Sequence, residues 1–214
     1  DVILNNKNQL VGNVVWASNL KDVYYGAPLN KFISPVITSS DHAYCYDKSS
    51  TDTNLNKWMT TLSDNLRVSQ LSLPGTHDTM TYTLDNVNYN AKCQSWDLQT
   101  QLNSGIRVLD IRCRRKGNGF SIHHGPYYLG VQFGDVLDIV IPFLLDNPSE
   151  TVFMRVKEEH DADSNLSFEE IFISYWSNNK DYFYQGSYND PLLKDTRGKI
   201  VLLQNFGKPQ KDSD

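Results

Sequence analysis

Two short runs, Leu73-Pro74-Gly75-Thr76-His77-Asp78-Thr79 and Ile122-His123-His124-Gly125-Pro126, each carry an apolar stretch into ionisable side chains. Between them lies Gly105-Ile106-Arg107-Val108-Leu109-Asp110-Ile111-Arg112. An imidazole titrates close to neutrality, so a histidine takes or gives a proton at pH 7. An arginine is always charged and grips phosphate oxygens with a planar fork. Two histidines, an aspartate beside one of them and an arginine make a complete set for cleaving a phosphodiester without a metal.

Each group also has a bland explanation when taken alone. His77 and Asp78 follow a Pro-Gly turn, where a histidine often does no more than pack. His123 and His124 are adjacent on one strand and face opposite sides, so only one of them looks toward a common centre. The Gly125-Pro126 turn places His124 at the rim. Asp110 and Arg112 are two apart and share a face. Two charges on the inward side of an apolar strand are costly unless paired, so a buried ion pair explains them equally well. Lys157 ends one apolar run and Arg197 precedes another, and exposed cations are usually just solvated.

These groups must be held by rigid elements. Leu71–His77, Ile106–Arg112, Phe120–His124, Thr151–Lys157 and Lys199–Asn205 read as strands. Helical patterns lie between them at Ser95–Ser104, stopped by Gly105, and at Asp135–Leu145, ended by Asn147-Pro148. A third helix spans Ser167–Tyr175, with Ser167 and Glu170 as a capping box. Strands alternating with helices imply parallel pairing and an α/β fold. In an α/β barrel the C-terminal strand ends carry the catalytic groups, which is where these residues fall. Residues 1–52 differ: short β-rich pieces at Leu10–Trp16 and Lys31–Thr38 are punctuated by Gly26, Pro28 and Pro35. They are expected to form an extension, joined through a polar Ser/Thr/Asp run to a catalytic unit over 53–214.

Composition narrows the partners. The 214 residues include 39% hydrophobic and 21% charged side chains, enough to bury a sizeable core. No long apolar run suggests a membrane-spanning helix. The start at Asp1-Val2, without Met, suggests a processed chain. The net charge of -5 argues against broad attraction to nucleic acid. Cys45, Cys93 and Cys113 show no zinc-type spacing. Cys113 is expected to be a buried free thiol, and a secreted setting permits a Cys45–Cys93 disulfide.

Taken in order, the runs LPGTHDT, GIRVLDIRCR, IHHGP, DNPSETVFMRVK and DTRGKIVLL resemble the catalytic barrel of bacterial-type phosphatidylinositol-specific phospholipase C, from about Asn54 to Asn205. The resemblance implies a TIM-type barrel and metal-free attack of the inositol 2-hydroxyl on the lipid phosphate. Its products are inositol 1,2-cyclic phosphate and diacylglycerol. It implies His77 as general base, Arg112 on the phosphate, and His124 as general acid supported by Asp78. Asp110 would orient Arg112, and Lys157 and Arg197 would contact inositol hydroxyls. Eukaryotic relatives place calcium where Arg112 stands, and Asp110 with Asp78 is a poor calcium site, so no cofactor is expected. A secreted enzyme acting peripherally on phosphatidylinositol or a glycan-anchored form follows. Val87 and Tyr89, then Tyr127 and Tyr128, are the expected interfacial residues.

One departure bears on architecture. The family barrel continues past the strand that ends near Asn205, and a closed barrel needs about eight strands where about five are read here. Further strands are expected from another segment of the precursor or a second chain, bringing the carboxylate that pairs with His77. Two other readings remain open. One is an inactive barrel that binds a phospho-sugar headgroup. The other is a glycerophosphodiesterase-like barrel, for which metal-binding carboxylates are not evident.

Overall fold

The computed structural model describes residues 55–84, 91–187 and 189–207. The expected extension over 1–52, the Cys45–Cys93 pairing, and Val87 and Tyr89 lie outside them. Four strands run parallel. β1 (Gly75–Thr76) pairs with β2 (Val108–Lys116), β2 with β5 (Thr151–Glu158), and β5 with β6 (Lys199–Asn205). The expected strand over 71–77 is paired only at Gly75 and Thr76. Pro74 has no N–H for a ladder, although its carbonyl accepts from Arg107 N and Val108 N at 2.8 Å each.

The expectation of parallel pairing fails at one place. β3 (Gly119–His124) runs antiparallel to β2, and β4 (Tyr127–Gln132), not foreseen in the sequence, runs antiparallel to β3. The connectors decide this. Gly117-Asn118 and Gly125-Pro126 are two residues each, too short for a parallel crossover and the right length for hairpins. Gly117 (φ 55°) and Gly125 (φ 52°) take the left-handed backbone such turns require. Cys113 lies opposite Ile122. The β2–β3 ladder ends at that pair, and the β3–β4 pairing shifts register between Ser121 and His123.

The crossovers are helical. α1 (Leu98–Asn103) is capped by Asp97, whose carboxylate accepts from Thr100 N at 2.7 Å. It ends at Gly105, with φ 98°. α2 (Phe133–Asp146) buries Phe133, Val136, Leu137, Val140, Phe143 and Leu144 on one side, as a 3.6-residue period requires. α3 (Phe168–Asn179) carries the expected box: Ser167 Oγ accepts from Glu170 N, and Glu170 Oε2 from Ser167 N. A single turn, α4 (Leu193–Thr196), leads into β6. Cys113 is fully buried and free, as expected. Phe120 of β3 joins hairpin to helices, stacking on Phe168 at 4.2 Å and meeting Phe133 edge-on at 6.0 Å.

The N-terminal ends of the strands are tied by an ion pair the sequence reading did not single out. Arg107 and Glu150 are both wholly buried and meet at 2.8 Å. All five guanidinium donors are used: Nε on Glu150, the others on the carbonyls of Leu102, Ile106, Leu55 and Asn56. Glu150 also accepts from Met59 N at 3.1 Å. Removing one partner strands a charge in the interior, so Glu150→Ala is expected to cost about 3–5 kcal/mol in urea unfolding. A loss below about 1 kcal/mol would mean that water reaches Arg107.

Candidate active site

The parallel register gathers the ionisable residues into one layer. On β2, Asp110 and Arg112 point to the same side, and opposite them on β5 stand Arg155 and Lys157. On β6, Asn205 pairs with Lys157. His77 and Asp78 follow β1 directly, and the hairpin returns His124 to the same end. This is the C-terminal end of the parallel strands, where a barrel presents its chemistry.

Arg112 is the hub. Its Nε and one terminal nitrogen donate to Asp110 Oδ2 at 3.1 and 3.0 Å. That terminal nitrogen also lies 3.2 Å from His77 Nδ1. The other lies 3.2 Å from Asp78 Oδ2 and 3.4 Å from Glu159 Oε1. Glu159 accepts from Lys157 Nζ at 2.6 Å and from Gly125 N at 3.1 Å, so it ties the hairpin turn to β5. Asp110 takes a second cation, Arg155, at 2.6 Å, and Arg155 donates onward to Asn205 Oδ1 at 2.6 Å.

Asp78 occupies an unusual position. Its backbone is left-handed (φ 48°), its N–H donates to Asp110 Oδ2 at 3.1 Å, and its carboxyl is almost wholly buried. Oδ2 lies 3.3 Å from His124 Nε2, but no donor is aligned on it as a hydrogen bond. Burial pushes this carboxyl up to about 7, the nearby Asp110 and Glu159 add to the rise, and Arg112 opposes it. Asp110 is held well below the carboxylate range. Burial works to raise it, but bonds from His77, the Asp78 N–H and Arg112 outweigh that.

The two histidines are displaced in opposite directions. His77 is raised to about 9 by Asp110, 3.4 Å from its Nδ1, and then by the Cys93 thiol, against burial and the Arg112 charge. His124 is lowered by burial first and by Arg112 second. Its neighbour His123 turns away as alternation requires, buried between the rings of Tyr128 and His160.

The profile described as "Phosphatidylinositol-specific phospholipase C, X domain" matches residues 71–206. The chain belongs to this family. The 1-phosphatidylinositol phosphodiesterase of Staphylococcus aureus (strain Newman) is 41% identical over 158 residues, covering 70% of this chain and 51% of that protein. The enzyme of the same name from Listeria monocytogenes is 40% identical over 157 residues, covering 69% and 48%. The chain thus spans about half the length of these relatives. A solved structure of a variant Staphylococcus aureus phosphatidylinositol-specific phospholipase C superposes with a TM-score of 0.69 at 38% identity, over 73% of this chain and 55% of that one. The Listeria monocytogenes phosphatidylinositol-specific phospholipase C gives 0.63 at 38% identity, over 72% and 58%. The fold is therefore that of a TIM-type β/α barrel, as the motifs implied.

Within this X domain the structure brings together His77, Asp78, Asp110, Arg112, His124 and Lys157. It does not bring Arg197 to them. Arg197 precedes β6 and so lies at the opposite, N-terminal end of a parallel strand. There it donates to Asp64 at 2.7 Å and to the carbonyls of Met59, Leu62 and Ser149. Its place in the sequence, ahead of the strand rather than after it, already carried that answer. Arg155, Glu159 and Asn205 were missed. Arg155 stands two before Lys157 on one strand, the spacing already used for Asp110 and Arg112. Glu159 lies just past the strand end, where spacing gives no direction. The carboxylate expected from outside the chain to pair with His77 has a counterpart already present, Asp110.

Proposed function

We propose that this chain cleaves the phosphodiester of phosphatidylinositol, or of a glycosyl-phosphatidylinositol anchor, to diacylglycerol and inositol 1,2-cyclic phosphate without a metal. The observation that carries the reading is Arg112, fixed by carboxylates between His77 and His124 at the strand ends. His77 takes the proton of the inositol 2-hydroxyl, whose oxygen attacks phosphorus. Arg112 holds the non-bridging oxygens as their charge grows. His124, steadied by Asp78, gives its proton to the departing diacylglycerol oxygen as the P–O bond breaks. The attacking hydroxyl belongs to the same molecule as the phosphate, so no separate nucleophile has to be captured. Lys157, Arg155 and Asn205 line the side on which the inositol hydroxyls lie.

In the free site the protons sit the other way round, with His77 charged and His124 neutral at pH 7. The reactive form is then a minor population, and a bound phosphate favours it by adding negative charge beside His124.

A secreted, peripheral placement goes with this function. Among the described residues no helix is long and apolar enough to cross a membrane. One solved structure of the Staphylococcus aureus relative concerns its membrane binding. Tyr127, 43% exposed on β4, and Trp96, 56% exposed, are suited to an interface. Past a single bridge from Phe183 to Ile200, the outer edge of β6 has no strand beside it among the described residues, and Leu203 there is 40% exposed. Further strands, from the same precursor or a second chain, fit against that edge.

Phosphorus NMR of phosphatidylinositol vesicles incubated with the protein tests the reading. The expected signal is inositol 1,2-cyclic phosphate. Headgroup binding with no cyclic product would identify an inactive binding barrel instead.

A further inference from the structure

Cys93 transfers no proton in the proposed cleavage, yet it stands inside the site, against His77. Ring nitrogens of His77 and His124, the Cys93 sulfur and a carboxylate oxygen of Asp78 all lie within 4.8 Å of one another. Two nitrogens, a sulfur and an oxygen are the donor set that zinc takes. Ligands 2.0–2.3 Å from a tetrahedral zinc are about 3.4 Å apart, and His124 Nε2 already lies 3.3 Å from Asp78 Oδ2.

A second, independent observation points the same way. Asp78 is 1% exposed, and its Oδ2 has no hydrogen bond directed at it, although it faces this cluster. This oxygen has the Arg112 guanidinium 3.2 Å away and His124 3.3 Å away but no aligned hydrogen bond, so its lone pairs remain open to a further cation. Asp110, 3.4 Å from His77 Nδ1, supplies the outer carboxylate that a metal-bound imidazole ordinarily has. The opposing charge, Arg112, lies 3.2 Å from Asp78 Oδ2 but is shared with Asp110 and Glu159, which hold it as zinc enters. Cys93 is half-buried and free, with a weak contact to the Ala91 carbonyl at 3.7 Å, so its sulfur can turn inward.

We propose that His77, Asp78, Cys93 and His124 form an inhibitory site for zinc, a thiophilic divalent cation, placed where the reacting atoms would sit. On binding, the Cys93 thiol and the charged His77 imidazole each release a proton to solvent, and the thiolate and the neutral imidazole become ligands, with no change of oxidation state. Base and acid are then both tied to the metal, so zinc and the phosphate headgroup exclude each other. The binding rests only on the geometry, and the inhibition rests on the proposed catalytic reading.

The test is direct zinc binding by the whole chain, read by competition with a chromophoric chelator, beside turnover on phosphatidylinositol. One equivalent is expected to bind and to inhibit competitively with substrate. Cys93→Ser is expected to weaken binding and inhibition by about tenfold or more, inhibition being read against the variant's own zinc-free turnover. Cys45→Ser, as a control, leaves both unchanged. Cobalt in place of zinc is expected to give a thiolate-to-metal charge-transfer band that Cys93→Ser abolishes. An unchanged unfolding midpoint in Cys93→Ser separates loss of a ligand from loss of structure. Undetectable zinc binding, equal binding by wild type and Cys93→Ser, or a missing cobalt band would overturn the proposal. Zinc binding with the cobalt band, but without any turnover, would leave the site standing and overturn the catalytic reading instead.

Discussion

Replacing His77 or His124 with alanine is expected to lower turnover by about 10²- to 10⁴-fold, because each removes one proton transfer from the same step. Binding of a soluble inositol phosphate changes little in either variant. The double variant loses far less than the product of the two, since both act in one transition state. The pH profile carries a sharper test. The reactive form needs His77 without its proton and the His124–Asp78 side with one. Between the two titrations these requirements cancel and kcat/KM is flat. Above the higher one it falls, so the alkaline limb belongs to His77 and lies near pH 9. Asp110 is the first cause of that high value. Asp110→Asn is therefore expected to move the alkaline limb down toward neutrality, near the ordinary imidazole pKa of about 6.5, besides lowering the rate. Near wild-type turnover in both alanine variants, or an alkaline limb that ignores Asp110→Asn, would falsify the assignment of base and acid.

How much of this was legible in the sequence differs from residue to residue. His77, Asp78, Asp110, Arg112 and His124 were readable because alternation on a strand fixes which side chains share a face, and because charged residues ending apolar strands are rare. Lys157 followed by the same logic, and Arg155 should have. Arg197 shows the limit of reading a charge next to a strand without asking which end it occupies. In a parallel sheet, the residue before a strand and the residue after it are a whole strand length apart. The hairpin of β3 and β4 was legible in principle, since two-residue links containing glycine exclude a crossover. Cys93 and Glu159 were not, because they reach the site from loops. A loop's direction is set by tertiary contacts, such as the bond from Gln94 Nε2 to the His77 carbonyl at 2.7 Å and that from Glu159 N to the Cys113 carbonyl at 2.8 Å. No period in the sequence records either contact.

Arg112→Lys keeps the positive charge and removes only the fork, so it isolates what geometry contributes. The guanidinium meets Asp110 through two nitrogens and still reaches Asp78 and Glu159. An ammonium on a flexible stem cannot hold those positions at once and offers no planar pair of donors to a phosphate. The expected result is a fall in kcat of about 10²- to 10³-fold, the scale of losing one aligned donor to a developing oxyanion. KM for a soluble substrate should change much less, because the charge that attracts the phosphate is retained. Thermal unfolding should stay close to wild type for the same reason. Since a fixed guanidinium supplies the positive charge, treatment with EDTA is expected to leave wild-type activity intact, or to raise it where trace zinc occupies the His77–Cys93–His124 cluster. Loss of activity with EDTA that calcium restores would show that a bound cation, not Arg112, offsets the phosphate charge. An Arg112→Lys variant with near wild-type kcat would show that only the charge mattered and not the fork.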